Sequence, residues 1–269
     1  MQQDIGENRV TEQAADRAGD LMTGRTAIVT GSGRNIGRAI ALSFARLGAN
    51  IVVNGHRDRA AVDSVVEEVR ASGGEALACM ADVADDAAVK AMVDIAAARF
   101  GSVDIVVSNV GLRRKQAFLD ITPEDWNAVL QTNLTAAFHL SRHAIPLMRN
   151  KRWGRIVLIS GFDGFWGQVT ERAHNVTAKA GLHGLSMALA REFGADGITA
   201  NTVATGAIDT VRDWTQYSHQ ERARLESEIP CGRYGKPDEV AAACDFVCSE
   251  RGAFVSGQVI HVNGGHYMY

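Results

Sequence analysis

Short apolar runs rich in β-branched residues alternate along this chain with longer segments in which apolar residues recur at helical spacing. The short runs predict strands, because they are too short for helices and end at glycines or polar residues. They lie at residues 26–30, 50–54, 76–81, 104–108, 155–160, 198–204 and 259–262. The helical spacing covers residues 38–47, 60–71, 85–100, 123–150 (as one helix or two) and 177–193.

This alternation predicts an α/β fold: a single-domain, Rossmann-type, doubly wound parallel sheet of about seven strands with helices on both faces. The strands are continuous apolar runs, which is typical of strands buried on both sides. Residues 23–269 show no repeat or linker, so we predict a single domain there. Residues 1–22 are polar, and we expect a flexible N-terminal extension.

Composition removes several classes of partner. The 269 residues carry a net charge of −3, with 46% hydrophobic and 22% charged residues, so neither a nucleic acid nor an anionic membrane is expected as a partner. The sequence has no apolar run of the roughly 20 residues that span a bilayer. The polar start of the chain lacks the apolar core of a signal peptide, so we expect a cytoplasmic protein.

The cysteines predict core packing rather than metal binding. Cys244 and Cys248 are four residues apart within an apolar helical pattern, and no CxxC pair occurs in the sequence. Since no nearby histidine completes a tetrahedral set of ligands, we expect buried, reduced thiols and no metal site.

A glycine-rich segment, TGSGRNIG at residues 30–37, stands between the first predicted strand and the helix that follows. At this place a tight turn lets the backbone approach a pyrophosphate, and the helix N-terminus attracts the anion. Asn35 is a mild exception, because asparagine tolerates left-handed backbone angles. The predicted contacts are Gly31, Gly33, Arg34, Asn35, Ile36 and Gly37.

The residues after the second strand favour NADP(H) over NAD(H). An acid at this place would accept hydrogen bonds from the ribose 2′-hydroxyl, but the strand ends at the neutral Asn54. His56, Arg57 and Arg34 are near the same corner, and a guanidinium pairs well with a phosphate. The alternative is that Arg57 and Arg59 are only solvated loop charges.

Further segments follow the later strands: DV at 82–83, NVG at 109–111, NL at 133–134, NTVATGAIDT at 201–210, and two near the C-terminus at 230–240 and 256–265. Together with residues 30–37 they resemble the motifs of the short-chain dehydrogenase/reductase family. Asn35 replaces the middle glycine of its TGxxxGxG motif, and Thr205 replaces a proline. The resemblance runs from about residue 23 to residue 265.

The resemblance implies an oxidoreductase that interconverts an alcohol and a ketone with NAD(P) and commonly assembles as a homotetramer. It assigns the adenine to Asp82 and Val83, and the nicotinamide carboxamide to Ile208 and Thr210. The remaining cofactor contacts that it implies are Asn109, Gly111 and, on the nicotinamide ribose, Lys179.

The catalytic set of the family is Asn, Ser, Tyr and Lys, the last two in the order YxxxK. Asn133 and Lys179 match, but Asn175 occupies the tyrosine position. The serine position falls on Gly161, with Ser160 one residue early. No shift of the alignment restores a tyrosine, since the four tyrosines are Tyr217, Tyr234, Tyr267 and Tyr269.

The loss of tyrosine matters because hydride transfer to a carbonyl produces an alkoxide that needs a proton. Asn175 can polarise a carbonyl as a hydrogen-bond donor but cannot ionise. His174 is the leading substitute, because imidazole titrates near pH 7. Ser160 is a candidate contact of the substrate oxygen, and Asp163 is a weaker candidate acid. Each of the three also has an ordinary structural interpretation.

On the substrate side, residues 113–115 (RRK) would suit an anionic group or else form a solvated loop. Phe162, Phe165 and Trp166 would line an apolar pocket or pack as an ordinary loop. Residues 209–230, with Trp214 and Tyr217, resemble the mobile lid of the family.

The expected function is an NADP(H)-dependent oxidoreductase acting on a small carbonyl or alcohol with an atypical proton donor. A non-redox enzyme and a catalytically silent dinucleotide-binding subunit on the same scaffold are the alternatives, because a fold alone does not determine a function.

Overall fold

The computed structural model describes residues 21–166, 170–211 and 218–268. The strands are β1 (Thr26–Val29), β2 (Asn50–Gly55), β3 (Ala76–Met80), β4 (Ile105–Ser108), β5 (Gly154–Gly161), β6 (Ile198–Thr205) and β7 (Val259–Val262). The α-helices are α1 (Asn35–Arg46), α2 (Arg59–Ala71), α3 (Asp86–Phe100), α4 (Pro123–Leu130), α5 (Ala136–Lys151), α6 (Ala173–Phe193), α7 (His219–Ser227) and α8 (Pro237–Cys248). A π-helical turn, Gln131–Thr135, joins α4 to α5.

All seven strands form one parallel sheet in the order β3-β2-β1-β4-β5-β6-β7. The chain moves outward from β1 to β3 and then returns to place β4 on the other side of β1. Strand order therefore reverses between β1 and β4, where the carboxyl ends of a doubly wound sheet leave a crevice for a ligand. The predicted α/β fold and its Rossmann-type topology are confirmed.

Helices cover both faces of the sheet, and each face has its own core. Val29 of β1 packs with Phe44 and Val240 on the face that α1 and α8 cover. Ile28, the preceding residue, packs with Leu140 and Leu182 on the face of α5 and α6. Neighbouring residues of a strand point to opposite faces, so this division explains why the strands are apolar throughout.

The strand bounds differ from the predicted ones by at most one residue, whereas two helices begin earlier than predicted. Helix α1 begins at Asn35 rather than at residue 38. Helix α6 begins at Ala173 rather than at residue 177, so it includes His174 and Asn175. The predicted helical region 123–150 is divided by the π-turn. Met22, which we had placed in the extension, is buried, and its N–H donates to the Leu47 carbonyl at 2.8 Å.

Cys244 and Cys248 are buried free thiols on α8, which agrees with the predicted core packing. No cluster of three or more His, Cys, Asp or Glu side chains able to hold a metal occurs among the described residues. In the same part of the chain, every helix is too short or too polar to cross a bilayer.

Candidate active site

The turn between β1 and α1 is packed so closely that a side chain would not fit at its end. A Cβ atom on Gly37 would lie 2.4 Å from the Gly31 carbonyl oxygen and 2.6 Å from Nδ2 of Asn109. That Nδ2 donates to the carbonyls of Thr30 (3.0 Å) and Gly31 (3.3 Å). Asn109 therefore fixes the turn from β4, and its amide is engaged within the protein.

Asn54 has a similar supporting role. Its Oδ1 accepts from the Gly31 N–H at 3.2 Å, and its Nδ2 lies 3.2 Å from the carbonyls of both Cys79 and Ala81. The buried amide thus ties the turn to β3. We had considered Asn54 mainly as a neutral residue at the ribose corner, whereas the structure uses it to hold the backbone there.

A cavity of about 460 Å³ opens between this turn and the ends of β2, β3 and β4, a size typical of ligand sites. The predicted cofactor residues in its wall are Gly31, Gly33, Arg34, Asn54, His56, Arg57, Asp82, Val83 and Gly111. Residues distant in the sequence therefore meet at the reversal of strand order.

The cations of this wall differ in how they are paired. His56 lies 3.8 Å from Asp82. Arg34 and Arg57 are exposed, and neither forms an ion pair with any residue that the structure describes. By contrast, Arg59 pairs with Asp63 at 2.8 Å. Two unpaired guanidinium groups at one cavity suit a phosphate group.

Asn35 has a role that the sequence pattern did not show. Its backbone is left-handed, with φ of 52°. Its Nδ2 donates to the Val211 carbonyl at 3.3 Å, and its Oδ1 accepts from the Val211 N–H at 2.8 Å. The side chain thus joins the turn to the segment after β6. A contact across 176 positions has no local signal in the sequence.

The other predicted cofactor residues lie outside the wall of the cavity. Ile36 packs partly buried against the core. Ile208 is buried beyond β6 and forms a parallel bridge with Gly235, and Thr210 follows two residues later. These last two residues follow the carboxyl end of β6, and their assignment to the nicotinamide carboxamide stays a prediction.

The catalytic end of the site begins at Asn133, in the π-turn. Its Oδ1 accepts from the Leu112 N–H at 2.6 Å, and its Nδ2 donates to the Leu112 carbonyl at 3.0 Å. These two bonds fix which end of the amide is the donor. The Nδ2 also donates to Oδ1 of Asn175 at 3.0 Å. Asn175 must therefore accept with its oxygen and direct its NH₂ group elsewhere.

That NH₂ group is unusual, because Nδ2 of Asn175 is buried and has no hydrogen-bond acceptor among the described residues. A buried donor without a partner costs about 1–3 kcal/mol. Asn175 occupies the position of the tyrosine in the YxxxK pattern. The structure thus places an unsatisfied donor where that pattern has a phenol.

Lys179 lies one turn further along α6, on the same face of the helix as Asn175. It is buried, and its Nζ donates to the Ile159 carbonyl at 2.8 Å. Burial lowers the pKa of Lys179 to about 7, assisted by the charge of Arg113 and opposed by that of Asp163. Lys179 is therefore an acid and base near neutral pH rather than a permanent cation.

His174 is fully buried and uses both ring nitrogens within the protein. Its Nδ1 accepts from the Asn175 N–H at 2.9 Å, and its Nε2 lies 3.3 Å from Oε1 of Gln116. Burial lowers its pKa. The geometry favours a neutral ring that organises the start of α6, so it does not support our expectation that His174 replaces the tyrosine.

The Ser160 hydroxyl is buried and engaged within the protein. Its Oγ lies 2.9 Å from Nε2 of His183 and donates to the Lys179 carbonyl at 3.2 Å. Burial, with the charges of His261 and Lys179, lowers the pKa of His183 to about 4. The structure thus makes Ser160 part of a neutral internal pair instead of a contact of the substrate oxygen. The sequence does not indicate a role for His183, because no local pattern distinguishes it from the other histidines.

The three aromatic residues predicted for the pocket contact two different histidines. Phe165 stacks on His183 with ring centroids 4.1 Å apart. Phe162 and Trp166 both contact His266, at 4.9 and 5.2 Å. They form an aromatic cluster beyond β5 and β7. The candidate contacts Trp214 and Tyr217 lie outside the described residues.

The strand order, the glycine-rich turn and the cavity beside it define a Rossmann-type α/β protein. A family model described as enoyl-(acyl carrier protein) reductase matches residues 31–267. The 3-oxoacyl-[acyl-carrier-protein] reductases FabG of Staphylococcus aureus strain Mu50 and Escherichia coli strain K12 are each 38% identical, covering 91% of this chain and 98% of the relative.

Among solved structures, a short-chain dehydrogenase from Burkholderia cenocepacia J2315 in complex with NADP superposes with a TM-score of 0.85. It is 33% identical, and the match covers 91% of this chain and 99% of that one. The chain belongs to the short-chain dehydrogenase/reductase family.

We predict that Gly37→Ala weakens NADPH binding. The added Cβ displaces the turn, and overpacking of this kind costs about 1–3 kcal/mol, which corresponds to about ten- to a hundredfold in affinity. Calorimetric titration with NADPH measures the effect. Gly184→Ala is the matched control, because a Cβ there meets nothing within 4 Å. Equal affinities for the two variants would contradict the prediction.

We also predict that Lys179→Met stabilises the protein by about 1–3 kcal/mol at pH 7, because the variant no longer buries an ammonium group. The lysine pKa is lower in the folded state, so the unfolded state binds the extra proton between pH 7 and about 10. The free energy of unfolding of the wild type therefore increases relative to that of the variant as the pH rises through this range.

Denaturant unfolding at several pH values measures this difference. Lys90→Met is the control, since Lys90 is an exposed lysine paired with Asp94. A Lys179→Met variant that is less stable than the wild type at pH 7 would be evidence against a buried lysine of low pKa.

Proposed function

We propose that the protein is an NADP(H)-dependent oxidoreductase that interconverts an alcohol and a ketone, with Asn175 and Lys179 together replacing the absent tyrosine. The observation that carries the proposal is the unsatisfied Nδ2 of Asn175, one helical turn from a lysine that titrates near pH 7. Relatives that are named 3-oxoacyl reductases support the class of reaction.

The chain fits a dinucleotide along the crevice. The turn with Gly31 and Gly33 would hold the pyrophosphate, and Arg34 and Arg57 would hold a 2′-phosphate. The NADP that is bound to the Burkholderia cenocepacia relative supports this choice. When bound, NADPH supplies a hydride. The residues assigned to its adenine, nicotinamide and nicotinamide ribose are Asp82, Val83, Asn109, Gly111, Ile208, Thr210 and Lys179.

Asn175 binds the substrate oxygen through its free NH₂ group. A preorganised donor in a buried site stabilises the negative charge that develops on that oxygen. Asn133 is the positioning residue, because its bond to Oδ1 of Asn175 directs the NH₂ group away from Asn133 and leaves it without a protein acceptor among the described residues. The Leu112 backbone in turn fixes Asn133.

Lys179 supplies the proton. Its pKa of about 7 gives a useful population of both protonation states at neutral pH, which is the condition for an efficient acid and base. The Ile159 carbonyl holds Nζ in place. His174 holds the first turn of α6 through the Asn175 N–H, so its contribution is to orient the amide donor.

We further propose assembly as a homo-oligomer, most simply the tetramer that is common in the family. Phe138 on α5, Met187 on α6 and Phe254 before β7 are exposed apolar side chains that a second copy would cover. The cytoplasmic location stays a prediction.

For the cofactor, we predict that Arg34→Gln and Arg57→Gln each weaken NADPH binding about tenfold or more and leave NADH affinity unchanged. Each substitution removes one charge-assisted contact with the 2′-phosphate, and such contacts contribute about 1.5–3 kcal/mol. Calorimetry with both nucleotides measures this. Arg59→Gln removes the same charge from an arginine already paired with Asp63, and should change neither affinity. Parallel losses for both nucleotides would argue against a 2′-phosphate site.

For the chemistry, we predict that a panel of ketones includes substrates whose reduction oxidises NADPH, and that Lys179→Met slows this reduction about 10²–10⁴-fold. The active donor is the protonated lysine, so the wild-type rate falls as the pH rises above about 7. His174→Gln keeps a group that can hydrogen-bond to Gln116 and should retain most of the rate.

Stopped-flow measurements of the rate of NADPH oxidation at several pH values distinguish the possible outcomes. If His174→Gln greatly lowered the rate of reduction and Lys179→Met left the pH profile of the rate unchanged, the proton donor would be His174 and not Lys179. NADPH binding without turnover of any carbonyl would favour a silent dinucleotide-binding subunit, and a product formed without oxidation of NADPH would favour a non-redox enzyme.

A further inference from the structure

The loop after β4 is held at both ends beside the candidate active site. Leu112 is bonded through its N–H and its carbonyl to the Asn133 side chain. The Gln116 N–H donates to the Glu171 carbonyl at 2.8 Å, and its side chain contacts His174. Residues between Leu112 and Gln116 therefore occupy defined positions next to the residues proposed to act on the substrate.

The three consecutive cations of this loop are not equivalent. Arg114 forms an ion pair with Asp125. Lys115 pairs with Glu171, at 3.1 Å between Nζ and Oε2. Arg113 is exposed and forms no ion pair with a carboxylate in the described parts of the chain. Two of the charges are neutralised by the protein, whereas that of Arg113 is not.

Arg113 is also near the reacting groups. It directly follows Leu112, whose neighbours Val110 and Gly111 line the large cavity together with it. The Arg113 charge is one of the influences that lower the pKa of the buried Lys179. The bonds between Leu112 and Asn133 hold the backbone of Arg113 beside the candidate active site.

We propose that Arg113 binds a carboxylate of the substrate, so that the protein acts on a small oxo acid and the corresponding hydroxy acid. This inference rests on the oxidoreductase function proposed above. The planar guanidinium matches a carboxylate with two parallel hydrogen bonds. Because residue 113 adjoins the residues that hold the reacting oxygen, the carboxylate must be separated from the carbonyl by only a few bonds.

A phosphate is the other anion that an arginine binds well. In a carrier-bound thioester, however, the phosphate is separated from the carbonyl by a long pantetheine arm. An arginine that binds such a phosphate would therefore lie far from Asn133 on the surface of the protein. The position of Arg113 therefore favours the carboxylate.

A bound carboxylate would also act on Lys179. The charged groups that influence this lysine are Arg113 and Asp163, and the neighbouring His183 is neutral at pH 7. Neutralising Arg113 removes one of the influences that lower the lysine pKa. Binding of an oxo acid would thus raise the pKa of Lys179 and load it with the proton that the reduction consumes.

The test compares acetoacetate with methyl acetoacetate, which share a ketone and differ in the carboxylate. Calorimetry on the wild-type enzyme saturated with NADP⁺ should show acetoacetate binding about tenfold or more tighter than the ester. In Arg113→Gln the two affinities should become equal, because the affinity for acetoacetate falls while that for methyl acetoacetate stays unchanged. Lys115→Gln removes the same charge from the adjacent residue and should keep the preference.

Several results would overturn the inference: no preference in the wild type, a preference that survives Arg113→Gln, or a loss in Arg113→Gln that is confined to an acetoacetyl phosphopantetheine thioester. The proposed function is tested separately. If both ketones oxidise NADPH equally well in the wild type and in Arg113→Gln, the oxidoreductase stands without the carboxylate site. If acetoacetate binds through Arg113 and neither ketone is reduced, the binding site stands without the reaction.

Discussion

The pair of hydrogen bonds between the Leu112 backbone and the Asn133 side chain determines which groups of Asn133 and Asn175 donate and which accept. A backbone N–H can only donate and a carbonyl can only accept, so the Asn133 amide has one orientation. Its remaining hydrogen on Nδ2 then requires the oxygen of Asn175. An amide could otherwise leave either end without a protein partner, and here, among the described residues, it leaves its donor. An asparagine can thus take over one part of the work of a phenol, the part that involves no ionisation.

In the function proposed above, the other part falls to Lys179, whose burial is costly for the folded state. Transferring an ammonium group from water to the interior is unfavourable, and a single carbonyl contact does not replace its hydration. The site accepts this cost, as sites built around a shifted pKa commonly do. Burial of His174 and His183 has a different consequence. Both rings stay neutral and hold neighbouring groups in place.

Much of this architecture can be predicted from the sequence, because it depends on the local spacing of apolar residues. The apolar runs of β1 to β7 and the glycines at 31, 33 and 37 have few alternative interpretations, and they brought Arg34, Arg57 and Asp82 to one cavity as expected. The roles of single polar side chains were harder to predict. Ser160 and His174 looked catalytic by position, yet their partners, His183 and Gln116, are 23 and 58 residues away. The three cations after Leu112 are alike in sequence and differ only in the carboxylates that the fold brings to them.

The contact between Asn35 and Val211 links two parts of the molecule that act on different ligands. Asn35 belongs to the turn that would hold a pyrophosphate, and Val211 belongs to the chain that leaves β6 toward the substrate side. Any outward displacement of Val211 breaks both hydrogen bonds at once. Asn35 therefore couples any movement of the glycine-rich turn to movement of the segment that follows β6.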